Sequence, residues 1–307
     1  MTGPRTDLTP ASPRPLRMIG VTTAWGACFI AIEWGLRDAP VLWFASLRAT
    51  LAGIALLTIA LIQGRPHPQG ARDWLRISVL GLVNVTVAFA AMFAAVTGLS
   101  TGAAAVLANA QPLLILLPAW WLFSERPRQA SAVAMVIGLI GLLMVALPGG
   151  GGTGAWLSLT AAGAITAGTL LARSLARLDV VVVSAWHFII GGAFLAVWSA
   201  VAEGAPRITW TPRFLAVLLF LSLVGTAAAF VVWFDESRRS RLDQLTAWTF
   251  LVPVVGIALS FGLLGERPSG WTISGLAVVL LALWQSVGRA VPLPSSELPP
   301  QSRGAGV

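Results

Sequence analysis

The sequence predicts an all-α integral membrane protein of ten transmembrane helices, built as two five-helix copies that enter the bilayer from opposite sides. Three observations predict it. Apolar residues make up 57% of the 307 residues and charged residues only 10%, where a water-soluble domain carries roughly 25% charged. Apolar stretches long enough to cross a membrane follow one another along the chain, separated by short polar breaks. Two of those stretches close on the same Glu-Arg-Pro turn, each behind an internal proline. Length alone would suggest about two soluble domains, but a mean hydropathy of +0.83 leaves too little polar surface to cover them.

A helix needs about 20 apolar residues to cross about 30 Å of hydrocarbon. After a Pro-, Thr- and Arg-rich tail over 1–17, which composition predicts to be disordered, the first span is 18–36. It is read as a retained helix and not a cleaved signal, because it is long, holds Glu33 and is followed by further spans. Arg37 to Pro40 turns the chain into 41–63, and Gln63 to Gly70 leads to 76–97 and then 101–123. Ser124 to Arg128 precedes 129–147, which completes the first copy over 18–147. Past the glycine-rich break from Pro148 to Gly154, the second copy, 155–288, holds spans at 155–173, 180–202, 213–234, 245–264 and 271–288. The remainder, 289–307, is rich in Pro, Ser and Gly and reads as a second disordered tail.

The net charge of +8 is carried by arginine alone, and the chain has neither lysine nor tyrosine. This excludes a Schiff-base lysine, a phosphate-loop lysine and a catalytic tyrosine. With the N-terminus placed inside, fifteen of the twenty arginines fall in cytoplasmic segments: Arg5, Arg14, Arg17, Arg65, Arg72, Arg76, Arg126, Arg128, Arg173, Arg177, Arg238, Arg239, Arg241, Arg289 and Arg303. Arg37, Arg48, Arg207, Arg213 and Arg267 remain outside or within the membrane. That asymmetry predicts a multi-pass cell-membrane protein with both termini in the cytoplasm. It also accounts for the positive charge without a nucleic-acid partner. A single cysteine, Cys28, excludes an intramolecular disulfide, and no cluster has metal-ligand spacing, so neither metal nor cofactor is expected.

The internal repeat is an offset of 141 residues, which separates Pro112 from Pro253, Glu125 from Glu266, Arg126 from Arg267 and Pro127 from Pro268 without a gap. That offset spans five helices, an odd number, so the second copy is inverted. Together with Trp25-Gly26 in span one, Pro40 ahead of Arg48, and Ser100 to Ala105 leading into Pro112, these residues resemble the drug/metabolite transporter superfamily, in its branch of two five-helix EamA repeats. The resemblance covers about 18–288 and implies an exporter of small metabolites, often amino acids, or of drugs. The chain departs from the pattern at Glu33, where many relatives show a basic or neutral residue. Its second copy lacks a clear Trp-Gly and a match to Arg48.

An ionisable group inside a span is costly and marks a functional candidate by default. Glu33 and Arg48 are the first two, placed by the turn at 37–40 to pair directly or across a water; the bland alternative is an ion pair that only pins two helices. His187 in span seven suits a proton carrier, although a histidine bonded to a helix carbonyl is the commoner case. Glu33 and His187 are thus the candidate coupling groups. Asn84 and Gln111 are amides within spans, Gln111 beside a proline that frees a backbone carbonyl. Trp25, Trp186 and Trp248 lie deep enough to line a cavity, whereas Trp43, Trp74, Trp156, Trp210 and Trp271 sit at span ends as interfacial anchors. Glu125-Arg126 and Glu266-Arg267 are helix-end electrostatics and no part of the substrate site. Gly138, Gly141, Gly163 and Ala167 are candidates for close helix packing.

No nucleophile–base pair or phosphate loop is readable, so the chain is not expected to be an enzyme. The expected function is a secondary active exporter working by alternating access, with proton coupling as a further step. The alternatives are an uncoupled facilitator or exchanger of the same fold, and a packing subunit with no transport role. Its partners are a small-molecule substrate and the lipid bilayer, and a monomer and a homodimer are both compatible with the sequence.

Overall fold

In the computed structural model, residues 12–124, 129–146, 153–265, 267 and 269–288 are described, and their elements are helical. The Glu125-Arg126 motif, Glu266 and both chain ends lie outside the described residues. Long helices are α1 (Pro15–Gly35), α2 (Val41–Ile62) and α3 (Ala71–Gly98). Residues expected as a single fourth span form three short helices, α4 (Thr101–Ala108), α5 (Gln111–Leu114) and α6 (Leu116–Phe123). Then come α7 (Gln129–Ala146), α8 (Thr153–Ser174) and α9 (Val180–Ala202). The chain continues through α10 (Pro212–Arg239), α11 (Leu242–Leu264) and α12 (Gly270–Gly288).

Seven of these, α1, α2, α3, α8, α9, α10 and α11, are long and apolar enough to cross a membrane. The expectation of ten is therefore met only in part. Within α7 and α12 the qualifying apolar stretches are shorter, Ala132–Met144 and Gly270–Ala282. The fourth span is broken for a local reason. The Asn109 side chain donates back to the Ala105 carbonyl at 2.6 Å, and Pro112 has no N–H with which to continue the helix.

Helix starts follow their capping chemistry. Pro15 and Pro212 occupy first turns, where their missing N–H costs nothing. Asp179 accepts from the amides of Val181 and Val182 at 2.9 and 3.1 Å, and Thr211 accepts from Phe214 N at 3.0 Å. The start of α2 is capped from another helix: Glu203, at the end of α9, accepts from Leu42 N at 2.9 Å and from Trp43 N at 3.1 Å. A carboxylate there also faces the positive end of the α2 dipole. Replacing Glu203 by glutamine should lower stability by about 1 kcal/mol. The check is the thermal unfolding midpoint in detergent, and an unshifted midpoint would show that the cap is dispensable.

At the opposite end of the same pair, Arg65 reaches Asp179 at 2.8 Å, so α2 and α9 run antiparallel along each other. Across the molecule α7 packs on α12, α3 on α8 as α10 does on α1, and α4 on α8 as α11 does on α1. The 141-residue offset recurs in the backbone. The wide π-helical turns at Leu82–Val87 of α3 and Phe220–Ala228 of α10 overlap under it. Ser124 and Gly265, also 141 apart, both end their helices in the left-handed conformation, at φ 56° and 70°.

Polar side chains gather at the two ends. One end holds the ion pairs of Arg17 with Asp235 at 2.9 Å and with Glu236 at 3.1 Å, together with Arg177–Asp73 and Arg239–Asp235. At the other, Arg213 pairs with Asp38 at 2.8 Å, and Thr209 N donates to the Asp38 carbonyl at 2.8 Å. Trp156, Trp210 and Trp271 are exposed, as interfacial anchors should be. Trp74 instead packs inward on Trp186, ring centres 5.0 Å apart.

Close packing falls on two of the three glycines expected and on others besides. Gly163 has open space where a side chain would go. Gly138 and Gly141 do sit in contacts, the first under the Phe250 ring and the second against the Gly275 carbonyl. The tightest backbone approach lies between α3 and α9, at Gly81 and Gly191.

Candidate functional site

A narrow cavity lies between the two halves of the chain. From the first half, α1 supplies Trp25, Cys28 and Phe29, α2 supplies Arg48, and α3 supplies Phe89 and Met92; Ala108, Asn109 and Gln111 come from the break between α4 and α5. The second half contributes Ile165 and Thr169 of α8, Phe230 and Trp233 of α10, and Val252 of α11.

Arg48 is the charged group of this lining and is 2% exposed. Its Nε donates to Thr226 Oγ1 at 2.7 Å, and its Nη2 to the Gly225 carbonyl at 3.4 Å and Cys28 Sγ at 3.7 Å. The guanidinium lies over the Phe89 ring at 4.5 Å and near Phe93 at 5.7 Å, a cation–π arrangement. Its Nη1 has no hydrogen-bond partner among the described residues. The Gly225 carbonyl sits within the wide turn of α10 and also accepts from Trp25 Nε1 at 3.2 Å. A widened turn of this kind lets a backbone carbonyl serve side chains, and such turns are frequent at functional sites.

The aromatic wall is tight. Trp25 meets Trp233 and Phe230 with ring centres 5.0 and 5.6 Å apart. Thr169 is the polar hub on the opposite side: its Oγ1 accepts from Gln111 Nε2 at 2.8 Å and Trp233 Nε1 at 3.3 Å, and donates to the Ile165 carbonyl at 3.0 Å. The pocket thus combines a cation held from three sides, two amides and aromatic faces.

Of the residues singled out in the sequence, the structure brings Trp25, Arg48 and Gln111 to this cavity. Glu33 and Arg48 do not pair: Arg48 takes its bonds from Thr226, Gly225 and Cys28, and Glu33 lies half-buried five residues further along α1 than Cys28. His187 is fully buried with Nδ1 3.0 Å from the Val183 carbonyl and Nε2 without a partner among the described residues. Trp186 donates to His67 Nδ1 at 3.2 Å, away from the cavity. Asn84 is buried against Gly168, where a side chain on the glycine would collide with its Oδ1. Trp248 is buried in the tight turn that opens into the long part of α11. Arg267 is exposed.

Phe89, Phe230, Trp233 and Thr169 were not singled out, although a signal for two of them was present. Phe89 and Phe230 are 141 residues apart, as are Phe93 and Phe234. The nitrogen-bearing side chain they face has a counterpart too. Arg48 is the eighth residue of α2 and His187 the eighth of α9. Arg48 lies against Phe89 and Phe93, while His187 lies 6.4 Å from Phe230 and 5.6 Å from Phe234 between ring centres. At the same step of these two helices, 139 residues apart, the first copy holds arginine and the second histidine.

The EamA-like transporter family model matches residues 16–147 and 152–287. A chloroplastic WAT1-related protein of Arabidopsis thaliana is 29% identical over 275 residues, covering 85% of this chain and 66% of its own length. A Salmonella typhimurium protein named "Probable amino-acid metabolite efflux pump" is 26% identical over 285 residues, 87% of this chain and 92% of that protein. A crystal structure with 19% identity superposes with a TM-score of 0.73 over 90% of this chain and 96% of its own, which shows a shared fold.

Proposed function

Because the chain belongs to the EamA-like transporter family and so stands among transporters rather than enzymes, we propose that it is a secondary active exporter of small metabolites or drug-like compounds that works by alternating access. Ten crossings, arranged as two inverted five-helix halves over 18–147 and 155–288, would give the chain two equivalent conformations, one open to each side. The arginine asymmetry supports both termini in the cytoplasm of a cell-membrane protein. The observation that carries the reading is the cavity itself, because it is lined from both halves and holds a buried cation with a donor to spare. A subunit whose role is packing has no use for such a site, since an intramembrane charge is costly to keep.

In this reading Trp25, Arg48 and Gln111 contact the substrate. Asn84, Trp186 and Trp248 support the helices behind the cavity, and Glu33 and His187 are the groups through which proton movement couples to transport. The Salmonella relative's name favours amino-acid metabolites among the exported compounds. The test is counterflow and gradient-driven uptake in proteoliposomes, using amino acids, cationic dyes and sugar phosphates, for wild type and Glu33→Gln. Movement of one class driven by an inside-acid gradient and lost in Glu33→Gln is the expected result. Counterflow indifferent to both the gradient and the substitution would make the protein an exchanger and Glu33 structural. No flux of these classes or of an aromatic carboxylate would remove the transport reading.

A further inference from the structure

The charge inside the cavity narrows its substrate. Arg48 is the charged residue among the described lining, and no aspartate or glutamate is part of that lining. Arginine stays protonated in proteins, so the cavity lining carries a full positive charge. Neutral partners occupy Nε and Nη2, and Nη1 is left without one. A fixed guanidinium with a donor to spare matches a carboxylate oxygen. The rest of the lining is flat and apolar, chiefly Trp25, Phe89, Phe230 and Trp233. The indole N–H groups of Trp25 and Trp233 are already committed to Gly225 and Thr169, so those rings offer faces and not donors.

We propose that the cavity is built for a monoanion with a flat apolar body, an aromatic carboxylate without an ammonium group, whose carboxylate binds Nη1 of Arg48. The proposal rests on the transporter reading for what the cavity is for, and it names the substrate class. Bound there, the anion neutralises Arg48 in a low-dielectric site. A zwitterion brings a second positive charge for which the lining holds no carboxylate, and a cation adds its charge to that of Arg48. Packing against the aromatic wall of Trp25, Phe230 and Trp233 orients the body once the carboxylate is fixed.

Three probes that share a ring and spacer separate these cases: 3-phenylpropionate, phenylalanine and phenethylamine. Binding to the purified full-length chain, followed by tryptophan fluorescence and calorimetry, should favour 3-phenylpropionate at least about tenfold over the other two. Arg48→Gln should cost 3-phenylpropionate about tenfold to 100-fold and tighten phenethylamine by relieving the like-charge repulsion, while Arg48→Lys keeps part of the affinity for 3-phenylpropionate. Should Arg48→Gln fail to fold, the three probes on wild type still decide. Equal or tighter binding of phenylalanine or phenethylamine overturns the proposal, and so does binding of none of the three. Counterflow of the same probes separates it from the transporter reading. Binding of 3-phenylpropionate without counterflow supports the site and removes the transport function, whereas counterflow of phenylalanine alone keeps the transporter and removes the anion site.

Discussion

Replacing Gly191 by alanine is expected to remove most of the folded protein, whereas the same change at Gly163 leaves the yield intact or raises it. A Cβ on Gly191 would lie 2.4 Å from the Gly81 carbonyl and 2.5 Å from Val85 Cβ. On the facing helix a Cβ on Gly81 would lie 2.6 Å from the His187 carbonyl. The obstacles include main-chain atoms in hydrogen-bonded helices, which cannot rotate aside. α9 is held as closely on its other flank, where a Cβ on Gly53 would meet Ile189 N at 2.8 Å. Overpacking a well-filled contact costs about 1–3 kcal/mol and occasionally more, and a backbone clash on this scale belongs at the upper end. Membrane helices gain little hydrophobic drive from meeting one another, so such small-residue contacts carry much of their association. Gly163 has nothing within 4 Å of the same position, and alanine there gains up to about 1 kcal/mol of helix propensity. Monodispersity by gel filtration and the thermal midpoint measure both effects, and similar profiles for the two variants would sink the prediction.

Bridging α1 to α10 at either end should stop transport. Arg17 joins α1 to Asp235 and Glu236 of α10 at 2.9 and 3.1 Å, and Asp38, just past the other end of α1, joins Arg213 of α10 at 2.8 Å. These two helices, which both line the cavity, are thus tied to each other at both ends. Alternating access requires each end to part in turn. In a Cys28→Ala background, cysteines at positions 17 and 236, or at 38 and 213, would be joined by a short reversible bifunctional thiol reagent. Either bridge should cut counterflow at least about tenfold, and reductant should restore it. Undiminished flux through a bridged pair would mean that the gate at that end is formed by other helices.

Much of the architecture was legible because a bilayer imposes length and polarity on each segment, and α1, α2 and α9 begin and end close to their expected bounds. The fourth span was harder. Its residues are apolar throughout, and the break at Asn109 depends on a side chain that bonds its own backbone instead of a neighbour. Arg48 stood out as an intramembrane charge and does line the cavity, but its partners did not. Residue counting places Glu33 and Arg48 at similar depths and says nothing of which way either faces around its helix. Thr226 and Gly225, which do hold Arg48, lie 178 and 177 residues away in sequence. Gly163 and Gly191 are alike as letters, and only the neighbouring backbone distinguishes them. The relation between Phe89 and Phe230 was within reach, since the offset already found for the prolines predicts it.

If the chain works by alternating access, the guanidinium in the described lining of the cavity also makes its cycle respond to voltage. An empty carrier that changes its accessible side takes one positive charge across part of the membrane field, whereas a carrier loaded with a monoanion takes none. A full elementary charge is worth about 2.3 kcal/mol per 100 mV, roughly a fiftyfold bias. A negative-inside potential therefore draws the vacant site towards the inner face, whichever way the chain is inserted. Its return after unloading is the step the potential accelerates. In such a cycle current should accompany the unloaded half, and a negative resting potential would hold the vacant site facing inward.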